Sequence, residues 1–208
     1  MLDADPDSVA LLATLLWGEL MQIVLASSSP RRRELLSMLV PHFEVSAPDI
    51  DEAHHSGESP DHYVTRLAKE KAVACATDNC VSLGADTVVV YEGQILGKPA
   101  DIDAARSVLE QLSGNVHTVF TGVGLAAGSQ ITSRLSATRV TFGQLLPETI
   151  ETYLQTDEPW DKAGAYGIQG YAGAFVERIE GSYSGVVGLP LYDTRRLLAD
   201  AGVTLLYG

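Results

Sequence analysis

The sequence predicts an α/β fold, with a mixed, twisted sheet and flanking helices. Three observations predict it. Strand-like and helix-like segments alternate through the first half of the chain, two long alternating segments follow as an antiparallel hairpin, and no internal repeat or low-complexity linker interrupts them. The 208 residues suffice for one domain with a sizeable core or for two small lobes. With 46% hydrophobic and 20% charged residues, the composition is that of an ordinary globular protein. The net charge of -13 repels polyanions, so no nucleic-acid partner is expected, and no apolar stretch is long enough to predict a membrane partner. Cys75 and Cys80 make neither a disulfide framework nor a zinc site. They read as small buried hydrophobes in a reducing, cytoplasmic setting.

The first twenty residues stand apart. Residues 9–17 are mostly apolar but too short to span a bilayer, and Asp3, Asp5 and Asp7 precede them where a signal peptide would carry positive charge. No targeting segment is expected. Met21 sits directly before the first strand and reads as a candidate native start, with residues 1–20 an extension and residues 21–208 the domain.

Taken in order, Ile23, Val24, Leu25 and Ala26 form a short buried strand. Three serines follow, then Pro30, then Leu35, Leu36 and Leu39 at helical spacing. Ser29 suits the N-cap, and Pro30 suits the first helical position, where no backbone donor is needed. Arg31, Arg32 and Arg33 crowd a first turn whose dipole is already positive, and only Glu34 offsets them. Such a turn is either a solvated basic patch or a site for an anion, most naturally a phosphate. Residues 43–47 read as a second strand. Asp49, Asp51 and Glu52 then share a loop. Ser59-Pro60 repeats the capping signal and opens a helix to about Thr77. Its apolar stripe contains Val64, Leu67, Ala68 and Cys75, with Lys71 in the middle and Lys69 facing away. A lysine on that stripe either snorkels to the edge or reaches into a charged cleft, and the cleft is favoured.

Residues 81–90 form a strand with Asp86 on the same face as Ser82, Gly84, Val88 and Val90. An ionised carboxylate there costs several kcal/mol unless it is paired, hydrogen-bonded or metal-bound. The plainer reading is a structural ion pair. Glu92-Gly93 makes a hairpin whose return brings Lys98 back alongside Asp86. Asp101 caps a helix running through Leu112, which Ser113-Gly114 closes. Residues 116–126 and 131–142 form the long hairpin, and Pro147 starts a short helix with Ile150, Tyr153 and Leu154. The stretch from Trp160 to Gly188 is glycine-rich: seven of the chain's 19 glycines fall between Gly164 and Gly188, which lets backbone amides approach a ligand or simply allows tight turns. Val176 and Ile179 mark a strand. Residues 191–201 are helical, Gly202 is the C-cap, and residues 203–207 read as a closing strand.

Together these oddities suggest one chemistry. Ser27, Ser29, Arg31 and Arg32 are phosphate-type donors; Lys71, Lys98 and Lys162 add charge; Glu52 and Asp86 supply carboxylates. Cations neutralise a polyphosphate, and paired carboxylates hold a divalent cation or orient an attacking water. That is equipment for phosphoanhydride hydrolysis. A G-x-x-x-x-G-K-[ST] loop is absent, which disfavours a P-loop NTPase.

Five motifs then carry a resemblance: Leu25-Ala-Ser-Ser-Ser-Pro-Arg-Arg-Arg-Glu-Leu-Leu36, Gly84-Ala-Asp-Thr-Val-Val89, Gly97-Lys-Pro99, Asp161-Lys-Ala-Gly-Ala-Tyr-Gly-Ile-Gln-Gly170 and Val187-Gly-Leu-Pro-Leu191. In this order they resemble the Maf family of nucleoside triphosphate pyrophosphatases, also called septum formation inhibitor proteins. The resemblance implies an inosine-triphosphatase-like fold with two lobes around a cleft, usually as a homodimer. It implies hydrolysis of a nucleoside triphosphate to the monophosphate and pyrophosphate, with magnesium or manganese as the divalent cation. By motif position Asp86 matches the catalytic proton acceptor. Ser27, Arg31, Arg32, Glu52, Lys71, Lys98 and Gln169 match other active-site positions, with Glu52 and Asp86 nearest the metal. Gln169 enters only through the resemblance. Thr87 and the segment from Asp161 to Gly170 resemble the type acting on dTTP and UTP rather than on 7-methyl-GTP, with Arg31, Thr87 and Gln169 at the positions that set the choice. A glutamine amide offers both donor and acceptor to a uracil-type edge. Modified pyrimidine nucleotides such as 5-methyl-UTP fall within the same expectation. A non-catalytic nucleotide-binding regulator of cell division is the alternative.

Overall fold

The computed structural model describes residues 22–207. The expected N-terminal extension and the candidate start at Met21 lie outside the described residues. Among the described residues seven strands form one mixed sheet: β1 (Gln22–Ala26), β2 (Glu44–Ser46), β3 (Cys80–Tyr91), β4 (Gln94–Leu96), β5 (Val116–Ala127), β6 (Gln130–Phe142) and β7 (Val176–Glu180). Their order is β2-β1-β3-β5-β6-β7, with β4 also paired to β3. The β2, β1 and β3 strands run parallel, and every pairing beyond them is antiparallel. The predicted mixed α/β sheet is thus what forms.

β3 is the hub. β1 pairs with it from Gln22 opposite Cys80 to Ala26 opposite Gly84, and β4 pairs with it only from Val89 onward. On its other edge β5 runs alongside from Val81 to Val90. Residues 85–88 are therefore bonded to β5 but have no strand on the opposite side among the described residues. The gap opens at the carboxyl end of β1, the customary place for a ligand in such sheets.

Helices cover both faces. α1 (Pro30–Ser37), α5 (Tyr183–Val187) and α6 (Leu191–Asp200) lie on one face. There Leu36, Val40, Leu189 and Leu198 pack on Leu25, Leu83 and Val123. Each fully buried leucine contributes about 2 kcal/mol. α2 (Pro60–Ala74) crosses the other face through Val64, Leu67, Ala68 and Ala72. A second core gathers α3 (Ile102–Leu112) and α4 (Pro147–Leu154) around Val119, Phe142 and Tyr166. The two clusters draw on different helices, α1 and α6 in the first and α3 and α4 in the second.

Local signals hold in most places. The Ser29 hydroxyl accepts from the Arg32 amide at 3.5 Å, and the Asp101 carboxylate accepts from the Ala104 amide at 2.8 Å. The Glu92-Gly93 turn has both residues at positive φ, as a tight hairpin requires. Three expectations fail. Ser59 precedes α2 but its side chain makes no capping bond. α2 stops at Ala74, not near Thr77, because the Thr77 amide turns to the Cys80 thiol at 3.1 Å and leads into β3. Residues 203–207 form no strand. Val203 and Leu205 pack against the first core, and the Leu206 amide makes one bond to the Leu39 carbonyl at 2.9 Å. Their alternation serves packing of a tail, which has the same period as a strand face. No helix among the described residues is long and apolar enough to cross a membrane.

Candidate active site

β1 delivers the chain to the gap, and the Ser27-Ser-Ser29 turn hands it to α1. Ser27 is buried, and its hydroxyl accepts from the Ser29 amide at 3.2 Å and from Arg32 Nη1 at 3.3 Å. Arg32 also donates from Nε to the Gly188 carbonyl (2.9 Å) and from Nη2 to Thr87 Oγ1 (3.3 Å). Burial lowers its pKa, with the nearby Asp86 charge opposing the shift. Three bonds lock its fork in place. Thr87 Oγ1 lies 3.1 Å from Thr121 Oγ1, which donates to the Gly185 carbonyl at 2.8 Å.

The carboxylate predicted from the apolar strand sits on the opposite face of β3 from Thr87. Asp86 is 8% exposed, and its Oδ1 lies 2.7 Å from the Lys71 ammonium. Glu52 Oε1 lies 3.0 Å from the same nitrogen. Lys71 does reach into a charged cleft, as its place on the apolar stripe of α2 predicts. The ion pair is real too, yet it stands in the wall of the cavity rather than in a dry core. Arg66 ties the Glu52 loop to α2: it binds Glu58 through two bonds of 2.7 and 2.8 Å and donates to the Ala53 carbonyl at 3.1 Å. Those bonds hold the Glu58 carboxyl at about 2. The Tyr63 hydroxyl donates to the Glu52 carbonyl at 2.8 Å. Burial and the two neighbouring carboxylates, Asp86 before Glu52, push the tyrosine's own pKa up.

The far wall comes from β4 and the glycine-rich segment. The Gly97 carbonyl accepts from the Gly164 amide at 3.1 Å. That bond draws the chain after β4 toward the glycine-rich side, so Lys98 is exposed in the cavity wall. The hairpin return brings it into the same cavity wall as Asp86, whose carboxylate pairs with Lys71. Asp161 joins the walls: its Oδ2 lies 2.9 Å from Arg31 Nη1, and its Oδ1 contacts the Lys162 ammonium. Burial raises the Asp161 carboxyl, but hydrogen bonds from Lys162 and Arg31 outweigh it and hold the group at about 2. Sequence reasoning missed Asp161 as a site residue, although it opens the motif that contains Gln169.

The cleft has a volume of about 540 Å³, ample for a small-molecule ligand. Ser27, Ser29, Arg31, Arg32, Glu52, Lys71, Asp86, Thr87, Lys98, Lys162 and Gln169 all line it. Residues spread over 143 positions of sequence thus meet in one place. Five cations and three carboxylates face the space, an arrangement fit for a polyanion and for moving a proton at Asp86. Among the described residues no cluster of three or more His, Cys, Asp and Glu could hold a metal by protein ligands alone. Two carboxylates of hard oxygen do fit a magnesium or manganese ion that takes its other ligands from phosphate and water.

Comparison with known proteins agrees with this geometry. The family model described as Maf-like protein matches residues 22–201. A Pseudoalteromonas atlantica protein named dTTP/UTP pyrophosphatase is 52% identical over 183 residues, 85% of this chain and 95% of its own. A Shewanella oneidensis protein of the same name is 52% identical over 193 residues, 88% of this chain and 100% of its own. A Vibrio cholerae protein, again so named, is 49% identical over 180 residues, 85% of this chain and 96% of its own.

Proposed function

The chain belongs to the Maf-like protein family, and from that premise we propose that it hydrolyses dTTP and UTP to the monophosphate and pyrophosphate. The observation that carries this reading is the single cavity in which a buried strand carboxylate, Asp86, faces the serine-arginine turn at the start of α1. The three relatives, all named dTTP/UTP pyrophosphatases, support the pyrimidine substrates.

The roles follow from placement. Arg31, Arg32, Lys98 and Lys162, with the Ser27 and Ser29 hydroxyls and the free amides of α1, bind the triphosphate. Lys71 holds Asp86 and Glu52 in one orientation while adding a charge beside the phosphates. Asp86 accepts the proton of the attacking water as its oxygen bonds to the α-phosphorus, and pyrophosphate departs. Glu52 and Asp86 would hold magnesium or manganese, whose charge would neutralise the phosphoryl oxygens. Arg31, Thr87 and Gln169 set the base, the last by pairing its amide with the uracil-type edge. We take residues 21–208 as one domain. The family resemblance supports a homodimer, and the two free cysteines suit a cytoplasmic setting.

The experiment is a turnover panel. Purified protein with magnesium or manganese is offered dTTP, UTP, 5-methyl-UTP and 7-methyl-GTP, and pyrophosphate release is measured. Fast release from the pyrimidines is expected, with Asp86→Asn slower by about 1,000-fold. Nucleotide binding without release would leave a regulator, and turnover of 7-methyl-GTP alone would overturn the substrate assignment.

A further inference from the structure

Glu158 lies outside the five motifs, yet its contacts are the densest on the glycine-rich wall. Its Oε1 accepts from the Gly167 amide at 3.3 Å, the Ala172 amide at 3.1 Å and the Tyr153 hydroxyl at 3.0 Å. Its Oε2 accepts from the Tyr171 amide at 2.6 Å. Its own carbonyl accepts from the Lys162 ammonium at 2.8 Å. One half-buried residue therefore ties down Lys162 and both ends of the segment from Gly167 to Ala172.

Gln169 sits inside that bracket. The Gly170 amide donates to the Gly167 carbonyl at 3.0 Å, closing a turn with Ile168 and Gln169 at its centre. Ile168 is buried in the second core, which leaves Gln169 pointing into the cavity. A Cβ at Gly170 would collide with the Glu158 carboxylate, so the glycine there makes room for it. Charge-assisted bonds to backbone amides are strong and directional. A side-chain amide at the tip of a turn reads a base only if its backbone is held still.

We infer that Glu158 is a positioning residue that holds the Gly167–Ala172 turn, and through it Gln169, in the geometry that selects the base. The inference rests on the reading of this cavity as a pyrimidine triphosphate site. Glu158 touches no substrate; it acts through Gln169.

The test uses the full chain and has two parts. In ligand-free protein, Glu158→Gln is expected to raise amide exchange at Gly167, Tyr171 and Ala172 by about 10-fold while the β3–β5 ladder keeps its protection. Unchanged exchange at those amides overturns the inference. In turnover, Glu158→Gln is expected to lower kcat/KM for dTTP by about 10-fold, chiefly through KM. In a Gln169→Ala background the same change is expected to have less than about a 2-fold effect. Equal losses in both backgrounds would also overturn it. Should Glu158→Gln not fold, Tyr153→Phe removes one of the carboxylate's four donors, and the same cycle is run with it. Failure of the pyrophosphatase reading shows separately, as wild-type protein that binds dTTP without releasing pyrophosphate. In that case the cycle is read from dTTP affinity by calorimetry.

Discussion

Gly84 faces the backbone of α2 so closely that a Cβ there would stand 2.6 Å from the Ala72 amide nitrogen and closer still to the Ala68 carbonyl oxygen. The close approach seats α2 on β3 and brings Lys71, one residue before Ala72, down to Asp86. Gly84→Ala is expected to push α2 outward. It should cost about 2 kcal/mol, seen as a lower urea midpoint, and should reduce turnover by lengthening the Lys71–Asp86 pair. Wild-type stability and turnover together would show that the helix does not depend on this contact.

Lys71 serves two carboxylates at once. Lys71→Met keeps the length of the side chain but leaves Asp86 and Glu52 without their cation. Breaking such a buried pair costs about 3 kcal/mol, and turnover is expected to fall by at least about 100-fold. Denaturant melts and pyrophosphate release check the two numbers. A stable, fully active Lys71→Met protein would remove Lys71 from the mechanism.

The Asp161 carboxyl is held at about 2, below its ordinary 3.8. A depressed carboxylate stabilises the fold fully above its unfolded pKa and loses that contribution as pH falls through its folded one. The bonds from Lys162 and Arg31 to Asp161 should therefore contribute fully above about pH 4 and be lost as pH falls through about 2. Thermal melts of wild type and Asp161→Asn are expected to differ above pH 4, by less than about 1 kcal/mol for so exposed a pair, and to converge near pH 2. A difference that persists at pH 2 would assign the effect to something other than this pair.

His117 is buried against Tyr166, its Nε2 2.8 Å from the hydroxyl. Burial pushes the imidazole down to about 4. Its Nδ1 has no partner among the described residues, which suits a neutral ring donating from Nε2, since an unbonded lone pair costs less than an unbonded N–H. The unfolded chain takes up the proton first as pH drops below about 6.5. Stability from this residue is thus complete above 6.5 and lost by about pH 4, a change on the order of 3 kcal/mol. Denaturant titrations at pH 7 and pH 4 should show that loss in wild type and not in His117→Gln. Parallel losses in both proteins would count against it.

The sequence reveals Asp86 and Lys71 because each breaks a local pattern: an acid in an apolar strand, a cation on an apolar stripe. The turn at Ser29-Pro30 is legible for a similar reason, since capping chemistry is local. Glu158 and Asp161 break no pattern. Glu158 reaches Tyr153 five residues back and Gly167, Tyr171 and Ala172 nine to fourteen residues on, and Asp161 reaches Arg31 130 residues away besides its neighbour Lys162. Only the fold supplies those contacts. The lost closing strand at residues 203–207 has the opposite cause, because a period of two marks any extended segment with one packed side, whether or not a ladder accepts it. Lys98 and Asp86 line one cavity, and the bond from the Gly164 amide to the Gly97 carbonyl that ties the chain beside Lys98 to the glycine-rich segment is invisible in the sequence.

The open border of β3 at residues 85–88 makes two chain neighbours, Asp86 and Thr87, visible from one chamber although they project to opposite sides. A single residue missing earlier in that strand would put Thr87 in the place of Asp86 and a hydroxyl against Lys71, and a single residue added would put Asp86 in the place of Thr87, beside Arg32. The ten-rung pairing with β5 therefore has a duty beyond cohesion. It keeps count, so that the group able to take a proton always arrives on the helix α2 side.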